Sequence, residues 1–481
     1  MDEQNGWNDR LGWCKLSHVC QRWRHLIHEF TFHLGMHIEC TNGTPIVDTL
    51  DHLPPLPLLV DFRDYSMTTG VLTEQDTFGM YRALQFHDRI RHISLCLPPS
   101  TLHKCLALMD KCFPILEHLS LSFSNNDLTT PMLPKAFLAP NLRHLSLPGI
   151  CPPRRLRLLT STVSLVTLVL SNIQTSSYFT PRLFVARLSS LPQLEELSIY
   201  FSIPLPRPSA ERELSGGQET PVTLANLKTL AFQGVSAYLE SLISKIRIPL
   251  LERLEIVLFN QIAFALPHLS HLIYITEGFR VPAAKISFGH GDVSIIMAHH
   301  SSQWSEGPFF LRLTCKQLDW QIDCIGQICS ALIPTLSIVE KFTLDFYTRM
   351  IPAEWQNGEI ESTTWHELLR SFIGMKELHL EDGLLEEVSR ALQVDELGLD
   401  PGFLPNLQFI VAAENLSASF IDTRRFVGRP VQYSERPQPP RQAPRQPRLR
   451  RSSPKLGTLS PSTPNLESPY REIQWKVEEF V

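Results

Sequence analysis

The chain has 481 residues, more than a single compact core usually serves, so several domains or a repeating architecture are expected. Apolar residues make up 43% and charged residues 19%, a balance that excludes a wholly disordered chain. The net charge of −5 argues against nucleic acid as the general partner, and no apolar run reaches the ~18–20 residues needed to cross a bilayer.

The first predicted element is an amphipathic helix over 10–31. Leu16, Val19, Cys20, Trp23, Leu26, Ile27 and Phe30 recur at helical spacing, while Lys15, Arg22, Arg24 and His25 take the other sides. Such a helix either caps a repeat array or leaves an apolar face for a partner. The prolines of Leu53-Pro54-Pro55-Leu56-Pro57 force an extended bend, because each restricts its own φ and the residue before it. A strand over 58–62 and a helix over 76–87 follow.

From there one pattern, L-x-x-L-x-L, recurs. It is plainest in Leu142-Arg143-His144-Leu145-Ser146-Leu147, and it also fits Ile90-Arg91-His92-Ile93-Ser94-Leu95 and Leu116-Glu117-His118-Leu119-Ser120-Leu121. It returns at 165–170, 194–199, 227–232, 251–256, 339–344 and 375–380, and in weaker form at 269–274 and 407–412. A strand of this kind cannot cover its own apolar residues, so the unit works only in series. Between 269 and 339 the only other strand-like stretches are 284–288 and 309–313. Helical spacing appears over 101–113, 181–191, 235–246, 364–373 and 383–392. Strand, helix and parallel strand then alternate, with a right-handed crossover expected.

This pattern resembles the leucine-rich repeat, although the Asn or Cys that usually follows in that signature is mostly absent and the spacing is uneven. The fold class expected is therefore α/β, an irregular right-handed solenoid. Upstream, Leu16-Ser17-His18-Val19-Cys20-Gln21-Arg22-Trp23-Arg24 resembles the last helix of an F-box, in which V-C-x-x-W-R is the most recognisable string. F-box domains joined to leucine-rich repeats form a large eukaryotic family, and this chain looks most like its divergent fungal members. The resemblance implies that Leu16, Val19, Cys20, Trp23 and Ile27 contact the S-phase-kinase-associated adaptor and, through it, a cullin. It implies further that the chain is the substrate-recognition subunit of an SCF-type ubiquitin ligase. The Leu-Pro opening and apolar first helix of an F-box do not precede this string; Met1 to Asp9 is polar. Only the back half of the domain is matched, so weak adaptor binding is expected, and a repeat scaffold with no ubiquitin connection is the alternative. The organisation expected is a partial F-box-like helix over 1–34, a repeat region over 35–428 and a tail over 429–481.

Two polar insertions, 204–221 and 350–361, interrupt the repeats. In the tail, prolines and arginines alternate through Arg436-Pro437-Gln438-Pro439-Pro440-Arg441 and no apolar period survives, so disorder is expected. Ser453, Ser460, Thr463 and Ser468 each precede a proline and are candidates for proline-directed phosphorylation, and the arginine cluster is either an import or acidic-partner patch or a solvated tail.

No nucleotide-binding, nucleophile-elbow or zincin motif is present, so no cofactor and no enzymatic activity are expected. The ten cysteines form no C-x-x-C pair, and Cys315, Cys324 and Cys329 are too irregularly spaced for zinc; buried, reduced thiols are expected. With no signal peptide, the expected location is the cytoplasm, the nucleus or both. The glycosylation-type triplets at Asn42 and Asn415 carry little weight without one.

The candidate binding residues lie inside the repeats. Strand side chains alternate between faces, so the third and fifth positions of each unit should face outward from the leucines, on the concave side of the array. One ladder reads His92, His118, His144, Thr167, Glu196, Thr229, Arg253. The other reads Ser94, Ser120, Ser146, Val169, Ser198, Ala231, Glu255. Three histidines followed by hydroxyls make a neutral, hydrogen-bonding strip that turns charged near Glu196 and Arg253. The strip either docks a protein partner, which the sequence does not name, or is simply solvated; a metal site is not expected on it or on His290, His299 and His300.

Overall fold

The computed structural model describes residues 20–22, 25, 37–44, 46–47, 50, 56–63, 72–123, 131–150, 157–174, 178–202, 221–261, 263–300, 304, 307–315, 318–346, 362–393, 403–414 and 417–422. All of these lie in the first of two compact units, Met1–Val431. Both polar insertions, apart from residue 221, the tail beyond 422 and most of the first predicted helix lie outside the described residues.

Eighteen strands are described: β1 Ile38–Thr41, β2 Leu58–Arg63, β3 Ile90–Leu97, β4 His118–Phe123, β5 His144–Pro148, β6 Thr167–Ile173, β7 Glu196–Phe201, β8 Val222–Thr223, β9 Thr229–Gly234, β10 Ile246–Arg247, β11 Arg253–Leu258, β12 Ala283–Phe288, β13 Asp292–Ala298, β14 Phe309–Thr314, β15 Lys341–Phe346, β16 Glu377–Glu381, β17 Phe409–Glu414 and β18 Ser417–Asp422. Sixteen form one sheet, in the order β1-β2-β3-β4-β5-β6-β7-β9-β11-β14-β13-β12-β15-β16-β17-β18, and β8 and β10 pair separately. The chain is thus α/β with one large, mainly parallel sheet. The repeat leucines set its register. Leu119 lies beside Leu145, Leu145 beside Leu168, Leu168 beside Leu197, Leu197 beside Leu230 and Leu230 beside Leu254. All are at most 1% exposed, so the row is one continuous core. Burying a leucine side chain contributes about 1.5–3 kcal/mol, which makes a one-residue slip of any strand costly.

The helices supply the other wall of that core. They are α1 Glu74–Leu84, α2 Pro99–Leu108, α3 Arg157–Ser161, α4 Pro181–Leu188, α5 Ser236–Ile243, α6 Pro267–Ile275, α7 Leu318–Ala331, α8 Ile333–Leu336, α9 Ser362–Leu369 and α10 Asp382–Gln393. Met80, Leu102, Phe184, Leu239, Ile322 and Trp365 are fully buried with the sheet's apolar row. None of the described helices is long and apolar enough to cross a membrane. Local caps fix the entries. The Thr73 hydroxyl accepts from Asp76 N at 3.0 Å, and the Asp76 carboxylate accepts from Thr73 N and from Gly43 N, tying the start of α1 to the turn after β1. The Thr180 hydroxyl caps α4.

A second device joins successive repeats. Asn141, immediately before its unit's first leucine, donates from its side chain to the Pro114 carbonyl of the preceding unit at 2.7 Å. Asn226 does the same to Pro192 at 2.8 Å and Asn406 to Ile373 at 3.0 Å. Gly149, directly after β5, has φ of +74°, and a Cβ there would run into the Phe123 ring, so the Pro148-Gly149 turn needs glycine.

Several expectations are corrected. The weak unit at 269–274 is not a strand; it lies in α6. Leu269 and Leu272 fit both templates, but the third buried residue is Ile273, on the helical period, rather than Tyr274, and Pro267 stands at the helix start. Alternation of parallel strands also fails there. From β11 the chain passes through α6 to β12, three strand places further along, then returns through antiparallel β13 to β14, which fills the place beside β11. β18 is likewise antiparallel to β17. The helix α7 had no expected counterpart, although Leu318, Ile322, Ile325 and Cys329 share one buried side.

Candidate functional site

The site is the sheet face opposite the helices. Because β3 to β7, β9 and β11 are aligned in register through these units, the third and fifth positions of each unit form two ladders. His92 pairs with His118, His118 with His144, His144 with Thr167, Thr167 with Glu196, Glu196 with Thr229 and Thr229 with Arg253. Ser94, Ser120, Ser146, Val169, Ser198, Ala231 and Glu255 follow in the same way. The residues of the first ladder are half-buried, as are Ser94, Ser120, Ser146, Val169 and Glu255 in the second. Ser198 and Ala231 differ: both are buried, short side chains in a row whose next members are Val169 and Glu255.

The imidazoles stack along the ladder. His92 and His118 have ring centroids 4.2 Å apart at 10°, and His118 and His144 are 5.6 Å apart at 36°. A nitrogen of His144, Nδ1, hydrogen-bonds the Thr167 hydroxyl at 3.2 Å. Burial, and next the neighbouring imidazoles, push the His118 pKa down to about 4, with Asp61 opposing. Burial also lowers that of His92; Asp61 pulls it back, while Arg63 and His144 add to the lowering. Desolvation disfavours the charged form, so both rings are neutral near pH 7. Charged residues at the borders are paired with one another: Arg63 with Asp61 at 2.9 Å, Arg91 with Glu117 at 3.0 Å and Lys228 with Glu195 at 2.8 Å.

The second ladder continues past Glu255 through Phe310, Ile296, Lys285, Thr343 and His379. These residues were not among those expected, because β12 to β14 carry no L-x-x-L-x-L and the row cannot be followed across them in sequence. Here the face is charged and internally paired. Lys285 meets Asp345 at 2.5 Å and lies 6.0 Å from the Trp304 ring; Arg312 meets Asp292 at 3.5 Å and lies 5.2 Å from the Phe310 ring.

Among the described residues no group of three or more His, Cys, Asp or Glu side chains could hold a metal ion. Cys40, Cys105, Cys315, Cys324 and Cys329 are buried free thiols, and burial pushes Cys40 and Cys105 up to about 12, so neither is a ready nucleophile. Of the expected adaptor-binding residues, Cys20 is described and exposed, and Gln21, Arg22 and His25 beside it are helical and exposed. Leu16, Val19, Trp23 and Ile27 lie outside the described residues, as do Ser453, Ser460, Thr463 and Ser468.

No family model and no curated protein matches the chain. Among solved structures it is similar to the leucine-rich repeat-containing protein LegL7 from Legionella pneumophila, with 12% identity and a TM-score of 0.26, over 80% of this chain and 92% of that one.

Proposed function

We propose that the chain is a non-enzymatic protein-interaction module, a leucine-rich-repeat-like array that binds a partner protein on the open face of its sheet. The observation that carries the reading is the ladder from His92 to Thr167, a row of half-buried hydrogen-bonding side chains held in register on packed strands and left uncovered by the described helices. Binding constellations on packed strands are held more firmly than those on loops. The test is affinity purification with mass spectrometry on the chain and on the double variant His118→Ala/His144→Ala. Loss of captured partners with an unchanged melting temperature supports the reading. Unchanged capture, or an unfolded variant, counts against it.

The narrower reading is that the partner is a substrate and the chain an SCF-type adaptor subunit working in the cytoplasm or nucleus. It rests on the Val19-Cys20-x-x-Trp23-Arg24 string and on the exposure of Cys20, Gln21 and Arg22 beside it. Co-purification with the S-phase-kinase-associated adaptor and a cullin tests it separately. Weak capture that a complete F-box fused ahead of Trp7 strengthens supports the adaptor role; no capture by either form leaves the scaffold.

A further inference from the structure

Charge is missing from one part of the open face. Across β3 to β6 the two ladders carry His92, His118 and His144 in one row and Ser94, Ser120 and Ser146 in the other, ending on Thr167 and Val169. The acid and base that adjoin this patch on β2 are paired: Asp61, which lies beside Ser94 in the serine row, meets Arg63, and Arg91 is paired with Glu117 along the strand starts. Arg143 and Glu196 stand at different borders and have opposite signs. His92 and His118 stack face to face and His144 tilts toward His118, so the faces these rings turn to one another are covered and their edges are left to meet a partner.

Two physical consequences follow. A charged partner group pressed onto the ladders would lose its water and meet no opposite charge within them. Uncharged polar groups fare better: a serine hydroxyl both donates and accepts, and a neutral imidazole offers one donor and one acceptor. The backbone of an extended peptide presents the same mixture. Four strands at about 4.8 Å spacing span roughly 14 Å, the length of about four extended residues.

We propose that this patch binds an extended polypeptide segment of about four residues with no ionised side chain, and that it selects by rejecting charge of either sign. The inference rests on the protein-interaction reading above and specifies its partner.

The test pans a random 12-residue phage-displayed peptide library on the full chain, then measures a synthetic copy of an enriched peptide on Ser120→Ala, Ser120→Asp and Ser120→Lys. The expected peptides share an uncharged run. Ser120→Ala removes one neutral hydrogen-bonding group and should weaken binding by about threefold to tenfold, whereas Ser120→Asp and Ser120→Lys should each lose about a hundredfold or more while melting normally; tenfold corresponds to about 1.4 kcal/mol. Enrichment of acidic or basic runs, tighter binding by either charged variant, or indifference to both overturns the inference and leaves the interaction reading standing. Failure to enrich any peptide on a cooperatively melting chain overturns both.

Discussion

The strands β3 to β6 and the insert β12 to β14 belong to one sheet but carry different surface chemistry. In the first region every strand comes from its own L-x-x-L-x-L unit, so parallel pairing places like positions side by side and the face reads His-His-His and Ser-Ser-Ser. In the insert two antiparallel pairings bring unlike positions together: Phe310, Ile296 and Lys285 share one row. A mixed row has to settle its own charges, and Lys285 and Arg312 do so with Asp345 and Asp292. Repetition yields a uniform, uncommitted face; the insert yields one already satisfied by internal pairs.

The core should not share this difference. Leu145 is 1% exposed and Ile295 fully buried, so Leu145→Ala and Ile295→Ala should each cost about 2–5 kcal/mol in urea unfolding. A cost below about 1 kcal/mol at Ile295 would break the claim that the insert is part of one continuous core. The junctions between regions come next. Glu240 of α5 accepts from His268 N at 2.8 Å and Leu269 N at 2.9 Å, capping α6 where the chain leaves the regular repeats. Glu240→Ala should cost about 2 kcal/mol, because two helix-end donors lose their acceptor. Asn141→Ala, which removes one neutral bridge between units, should cost about 1 kcal/mol.

On the face itself the contrast should be sharper. Lys285→Ala leaves Asp345, already with one buried oxygen lacking a partner, without its cation; a loss on the order of 1 kcal/mol is expected, against less than about 0.5 kcal/mol for Ser120→Ala. The smallest effect concerns pH. His118 takes up its proton near pH 4 when folded and near 6.5 when unfolded, so the unfolded state binds more protons between those values and acid destabilises the fold. The advantage of the parent over His118→Gln should therefore shrink as pH falls from 6.5 to 4, on the order of 1 kcal/mol for a half-exposed ring, where solvent screening discounts the shift. Stability that runs parallel in the two proteins would remove the buried-histidine argument; the ring faces His92, His144 and Asp61.

Much of this was legible in the sequence where periodicity and pairing coincide. Leu119, Leu145 and Leu168 could be placed in one row because each recurs at the same point of its unit, and the His and Ser ladders followed from strand alternation. The same logic failed at 269–274, where Leu269 and Leu272 satisfy both templates and only the buried Ile273, in place of Tyr274, marks the helix. It also failed at β12 to β14, because antiparallel pairing depends on which strand returns beside which and leaves no repeat to count. The Asn141, Asn226 and Asn406 bridges were present as an Asn-Leu pair opening each of those units, but their acceptors are backbone carbonyls 27 to 34 residues upstream, which only the fold brings near.

The central claim is that a partner sits on the histidine and serine ladders. Diethyl pyrocarbonate labelling of histidines, read by mass spectrometry with and without an enriched peptide, addresses it directly. The account predicts that the bound peptide protects His118 and His144 while exposed His103, His299 and His300 keep reacting. Protection of His299 and His300 with His118 and His144 still fully reactive would contradict it.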